Sequence, residues 1–311
     1  MKKQWLLISI LFLMGSSVYA QSRKYISQFS HLQQYYNPGL AAYEGSMIRG
    51  FIRNQWLGWE GAPKTYFLSA ELDFGQLAGE TDPGLLGKNA VSLSMHHDTN
   101  GAFMDSELIL GYASRVRLSR TTNLRLGIGI NYNTVRLDGN KMNTQQASDP
   151  VVVRYLGSFA NMEILDFNLG LALTHKNYYI SYAVHNLNGG RLNNGDSFMD
   201  GKAVSGIFQG GYRNKLTDNL ALATNVMWRN QEDLLDNVEF NFKVLLMDKM
   251  WIGAGHRISY ANSFQLGFIF GEMRMGYIYE MPMLRSYLLP NTTHEFMLTY
   301  SLFRGGSEMI W

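Results

Sequence analysis

The 311-residue chain has no cysteine, only six prolines and, past its first twenty residues, no long apolar run. Without thiols it can form no disulfide, bind no metal through thiolate and carry no lipid on an N-terminal cysteine. No later stretch approaches 18 uninterrupted apolar residues, so the sequence offers no helix that could cross a membrane. A charge bias is also missing. Setting aside Lys2 and Lys3, the chain has 25 basic and 25 acidic residues, whereas a nucleic-acid binder would show a basic excess. No nucleophile elbow, phosphate loop or zinc-helix motif occurs. The sequence therefore calls for no catalysis, no cofactor and no metal.

What is present begins at the amino end. Lys2 and Lys3 precede an apolar run from Trp5 to Met14, and small and polar residues lead to Val18-Tyr19-Ala20. This is the layout of a cleavable secretory signal, too short for a spanning helix. Residues 1–20 are expected to be removed after Ala20. An exported chain without an apolar helix can enter a membrane only with strands.

Alternation with a period of two dominates the rest. Val238, Phe240, Phe242, Val244 and Leu246 alternate with Glu239, Asn241 and Lys243. Leu124, Leu126, Ile128, Ile130 and Tyr132 alternate with Arg125, Gly127, Gly129 and Asn131. Phe264, Leu266, Phe268 and Phe270 oppose Ser263, Gln265 and Gly267, and Met273, Met275, Tyr277 and Tyr279 oppose Arg274, Gly276 and Glu280. Successive strand side chains point to opposite faces, so each segment has one apolar and one polar or glycine-rich face. Fourteen such segments begin near Met47, Thr65, Asn89, Ser106, Asn123, Asp166, Tyr178, Ala203, Asn219, Asn237, Lys249, Ser263, Met273 and His294. One strand plus connection every ~21 residues suits tilted membrane strands of about 9–11 residues.

Connection lengths give an independent test. Bacterial barrels keep both ends in the periplasm, with long loops outside and tight turns inside. Odd-numbered connections are mostly long (Leu137 to Leu165, Asn186 to Lys202, Met281 to Thr293). Even-numbered ones are mostly short (around Ser119-Arg120-Thr121, Lys176-Asn177, Asn214 to Asp218, Met247-Asp248 and Gly271-Glu272), with the stretch Gly75 to Lys88 as the exception. A soluble β-sandwich could also show alternation. Two features favour a membrane barrel: charges of both signs on the polar faces (Arg49, Glu71, Glu107, Arg125, Glu239, Lys243, Arg274, Glu295), and aromatics ending the apolar faces (Tyr132, Trp228, Tyr279, Tyr300). The expected architecture is an all-β, antiparallel, outer-membrane β-barrel of about 14 strands over residues 45–311. Residues 21–44 precede it as a periplasmic or plug-like segment that could fold inward.

Candidate sites are few. His96-His97-Asp98 could suggest a metal pair, but adjacent strand residues face opposite ways. Glu239, Glu280 and Glu295 could converge inside the barrel, where Lys243 and Arg274 would make them part of a salt-bridge lattice. Gly127, Gly129, Gly170 and Gly267 fall inside strands, where glycine permits bends or close backbone approach, or is simply small. Asn37-Pro38-Gly39 is turn chemistry. Trp56, Trp59, Pro63 and Lys64 lie in or beside the first outer loop. They either close the barrel mouth as an aromatic corner or anchor a partner, because aromatics are enriched at binding hot spots.

Gln28-Phe29-Ser30, Tyr36-Asn37-Pro38, Arg53-Asn54-Gln55-Trp56, Gly58 and Gly61-Ala62-Pro63-Lys64-Thr65 together resemble the opening of the PorP/SprF family. These are outer-membrane barrels of Bacteroidetes associated with type IX secretion and gliding motility. The family commonly has Asn-Pro-Ala where this chain has Asn37-Pro38-Gly39. The resemblance implies a non-enzymatic accessory role: supporting secretion of a large cargo protein with a type IX C-terminal domain, or holding it at the cell surface. Other type IX components and outer-membrane lipid are the further implied partners. The alternative is a passive channel for small solutes, since a barrel of this strand number is wide enough for a lumen.

Overall fold

The computed structural model describes residues 25–80, 88–142, 153–199, 201–232, 234–283 and 292–303. The expected signal segment lies outside them. Fifteen strands follow in chain order: β1 (Met47–Asn54), β2 (Lys64–Asp73), β3 (Asn89–Asn100), β4 (Phe103–Arg117), β5 (Thr122–Asp138), β6 (Phe159–His175), β7 (Tyr178–His185), β8 (Leu192–Gly195), β9 (Ser205–Thr217), β10 (Leu220–Gln231), β11 (Leu234–Leu246), β12 (Met250–Arg257), β13 (Ala261–Phe270), β14 (Met273–Pro282) and β15 (Thr293–Ser301). Each wall strand pairs antiparallel with its neighbours, and β1 pairs with both β2 and β15. Fourteen strands thus close into a barrel, and the short β8 adds to the upper part of β6 alone.

Side-chain direction decides what kind of barrel this is. The apolar members of the alternating runs point outward: Ile128 is 55% exposed, Phe242 48% and Phe264 55%. Their neighbours Arg125, Asn241, Lys243 and Ser263 point inward and are buried. A soluble barrel would place the two sets the other way round. A closed antiparallel wall with an apolar exterior is what the bilayer accepts. Among the described residues, no helix is long and apolar enough to cross a membrane.

The tight turns at 118–121, 176–177, 218–219, 247–249 and 271–272 share one end of the barrel, which orientates it with that end in the periplasm. Met247 and Asp248 both take left-handed backbone conformations there, as the two central residues of a type I′ turn closed by Lys249 N to Leu246 O (3.0 Å). Connections 55–63, 101–102 and 258–260 lie at the outer end, as do the described residues of the longer connections between β5 and β6 and between β7 and β9.

The sixth strand departs from its expected start near Asp166 and begins seven residues earlier, at Phe159. Its first turns invert the membrane pattern: Asn161 and Glu163 point outward, while Ala160, Met162 and Ile164 are buried inward. At 17 residues each, β5 and β6 exceed what a bilayer needs. Their outer ends rise above the apolar band and are roofed by a small cluster of Leu137, Tyr155 and Ala160 with Ala102, Met142 and Phe198.

Candidate functional site: the occupied lumen and the outer mouth

Residues 25–46 lie inside the barrel. The segment carries three short helical turns, Phe29–His31, Gln33–Tyr36 and Pro38–Leu40, and almost every side chain in it is buried. It meets the wall at both ends and in the middle. At the periplasmic end, Ser46 N donates to Gln76 Oε1 (2.6 Å) and the chain turns directly into β1. At the outer end, the Tyr25 ring stands 5.5 Å from that of Tyr260 in the β12–β13 turn, with the Arg257 guanidinium 4.5 Å from its centre. The segment therefore runs the height of the lumen.

The tightest contact is at Asn37-Pro38-Gly39. Gly127 and Gly170 are cross-strand partners on β5 and β6 and form a bare floor beneath this turn. A Cβ on Gly127 would fall 2.2 Å from Gly39 N, and one on Gly170 would fall 1.9 Å from Asn37 Oδ1. Asn37 uses its whole amide: Oδ1 accepts from Gly39 N (2.8 Å), and Nδ2 donates to Leu171 O and Tyr182 O (3.1 Å each). Arg125 donates to Gly39 O and Ala41 O, both at 2.9 Å. Of the two roles open to the strand glycines, close backbone approach applies here. Gly267 makes the same kind of room for Trp251, whose ring would lie 2.0 Å from an added Cβ.

Two groups of buried charge hold the ends. Toward the outside, Arg53 Nη2 pairs with Glu280 Oε1 (2.9 Å) and Nη1 with Glu295, while Arg257 pairs with Glu239 (2.7 Å) and Glu280 (3.1 Å). Ser27 joins this group through its N–H to Glu295 (2.9 Å) and its hydroxyl to Glu280. Toward the periplasm, Glu44 pairs with Arg213 (2.9 Å) and Arg49 (3.4 Å), Arg49 also reaches Glu71 (3.2 Å), and Glu71 accepts from Ala42 N (2.8 Å). The expected carboxylate lattice exists, but Arg53 and Arg257 provide its cations. Lys243 reaches Ser30 Oγ (2.6 Å) and His31. A buried charge pair is favourable only when further hydrogen bonds satisfy both partners, and the lumenal segment provides them.

His96 and His97 face opposite ways. His96 is buried inward and stacks on Tyr35 (5.6 Å), while His97 lies on the outer surface against Ser106 (2.8 Å). Among the described residues, no group of His, Cys, Asp and Glu could hold a metal ion.

At the outer mouth, Trp56 and Trp59 close one turn (Trp59 N to Trp56 O, 3.1 Å), and Trp56 has a left-handed backbone. Trp59 is 51% exposed and Leu57 59%, whereas Trp56 is half-buried. Pro63 is buried, and its carbonyl accepts from Gln55 N (3.0 Å). Lys64 is exposed at the start of β2. The loop is pinned from both sides, by Leu57 N to Thr292 O (3.4 Å) and Gly101 N to Gly61 O (3.0 Å). The four sequence-derived residues thus divide: Trp59 and Lys64 face solvent, while Trp56 and Pro63 shape the loop. No sequence pattern marks the Tyr155–Phe198 roof, because its members come from three loops and the ends of β5 and β6.

The barrel is similar to solved outer-membrane proteins. Omp33 of Acinetobacter baumannii aligns at 10% identity over 85% of this chain and 100% of its own, with a TM-score of 0.47. The toluene transporter TbuX of Ralstonia pickettii aligns at 9% identity over 86% and 92% (TM-score 0.46), and TodX of Pseudomonas putida at 8% over 90% and 94% (TM-score 0.47). No curated protein matches the chain. The family model described as "Type IX secretion system membrane protein PorP/SprF" matches residues 18–300, nearly the whole chain. This outer-membrane β-barrel belongs to the PorP/SprF family of type IX secretion system membrane proteins.

Proposed function

We propose that this protein is an accessory barrel of the type IX system that supports secretion of a large C-terminal-domain-bearing cargo or anchors it at the cell surface. On this reading residues 25–46 are a resident plug, and the working surface is the outer mouth rather than the lumen. The observation that carries the proposal is the occupied interior: the lumenal segment bonds to side chains or carbonyls of β1, β2, β4, β5, β6, β7, β9, β11, β12, β14 and β15. A passive channel needs that space empty. The pinned loop carrying Leu57 and Trp59, beside the roofed ends of β5 and β6, offers a firm apolar contact surface outside, and rigid aromatic anchors suit partner binding.

The test is extraction from native outer membranes in mild detergent, with identification of what copurifies. A large secreted protein in near-stoichiometric amount is expected, and Trp59→Ala should reduce its retention while leaving the barrel assembled. A barrel that comes out alone and conducts steadily in planar bilayers would replace this reading with the channel.

A further inference from the structure

We propose that the lipid-facing wall around Gly50 is a binding site for an anionic, phosphate-bearing lipid of the outer leaflet. An acyl chain would lie in the groove over Gly50, and the phosphate would rest at Lys64. The site shares Lys64 with the outer-mouth candidates but does not depend on the cargo-binding reading.

Strand register sorts this wall into three tiers. In the lowest, Leu68, Gly50, Leu298 and Met275 stand side by side on β2, β1, β15 and β14. In the next, Tyr66, Ile52, Phe296 and Tyr277 do the same, with His97 of β3 beside Tyr66. The third, at the outer rim, is polar: Lys64, Asn54 and His294. Large apolar side chains fill the lower two tiers except at Gly50. A Cβ there would touch only Phe67 O (3.4 Å) and Leu68 Cδ1 (3.9 Å), so the space above it is open. The gap makes a groove of about 600 Å³ whose lining includes Gly50, Ile52, Leu68, Met275, Phe296 and Leu298. That volume falls in the range of small-molecule sites.

Two features select a lipid with a negative headgroup. The groove opens onto the same apolar face that contacts the bilayer along its whole height, so acyl chains surround it at bulk concentration. Just beyond its outer end, in the third tier, stands the exposed Lys64 ammonium; His294 on the same rim has both ring nitrogens engaged, by Tyr277 Oη (2.7 Å) and Thr292 Oγ1 (3.1 Å). An apolar trough ending in a cationic, hydrogen-bonding rim is complementary to an acyl chain ending in a phosphate. A basic residue at the membrane surface favours an anionic headgroup over a neutral one.

The full-length barrel, delipidated in detergent, would be titrated with hexa-acyl lipid A and read by native mass spectrometry, with dephosphorylated lipid A and zwitterionic phosphatidylethanolamine as comparisons. One lipid A per barrel is expected to persist. Gly50→Leu, which fills the groove, and Lys64→Glu, which reverses the rim charge, should each weaken retention about tenfold. Dephosphorylated lipid A should bind the unmodified barrel as weakly as lipid A binds Lys64→Glu. Should Gly50→Leu not assemble, Lys64→Glu and the lipid series decide. Equal retention by the unmodified barrel and the variants overturns the site. So does equal binding of all three lipids, or a protein adduct in place of the lipid that Gly50→Leu abolishes.

Discussion

On the outward face of β5, Ile128 is 55% exposed and Ile130 46%, whereas Arg125 and Asn131 on its inward face are each 1% exposed. The same strand thus meets two different solvents. Outside, side chains need only be apolar, because lipid makes no specific demand on shape. Inside, each polar group needs a partner of defined position, because it is buried away from water. Tolerance to change should therefore differ between the two faces.

The largest effect is expected inside. Arg53→Leu leaves Glu280 and Glu295 without their shared cation, and breaking a buried pair from one side costs about 3–5 kcal/mol. The check is a fall in the urea midpoint of the folded, heat-modifiable species. Next is Ile128→Arg, at the centre of the apolar run Leu124 to Tyr132. A charge at the bilayer midplane costs about 2–4 kcal/mol in a barrel, measurable in the same assay. Gly170→Ala should come third. Its methyl meets the Asn37 side chain, and overpacking costs about 1–3 kcal/mol. The conservative outward swap Phe268→Leu should change stability least, by less than about 1.5 kcal/mol. A Phe268→Leu variant weaker than Gly170→Ala would erase the contrast between the faces.

This contrast also governs what could be read in the sequence. Leu124 to Tyr132 and Phe264 to Phe270 were legible because lipid contact requires an uninterrupted apolar row, and alternation reveals it directly. Phe159 to Ile164 was not, because above the bilayer the phase of polarity reverses: Asn161 and Glu163 are exposed while Met162 and Ile164 are buried inward. The contacts of residues 25–46 were harder still. They depend on side chains contributed by strands from β1 to β15, and nothing local marks Arg125 as the donor to Gly39 or Arg53 as the partner of Glu280. The available clues were the inward glycines Gly127 and Gly170, which leave space that some other part of the chain must fill, and the stiff turn Asn37-Pro38-Gly39. At the mouth, Trp56 and Trp59 stood out by residue type. Their different exposures follow from the hydrogen bonds of the loop, which composition does not show.

The central claim is that the lumen is filled by the chain's own amino-terminal segment. Single-channel recording of the purified full-length barrel in planar bilayers tests it most directly. The account predicts insertion events without a steady conductance; a large, stable conductance in the unmodified protein would contradict it.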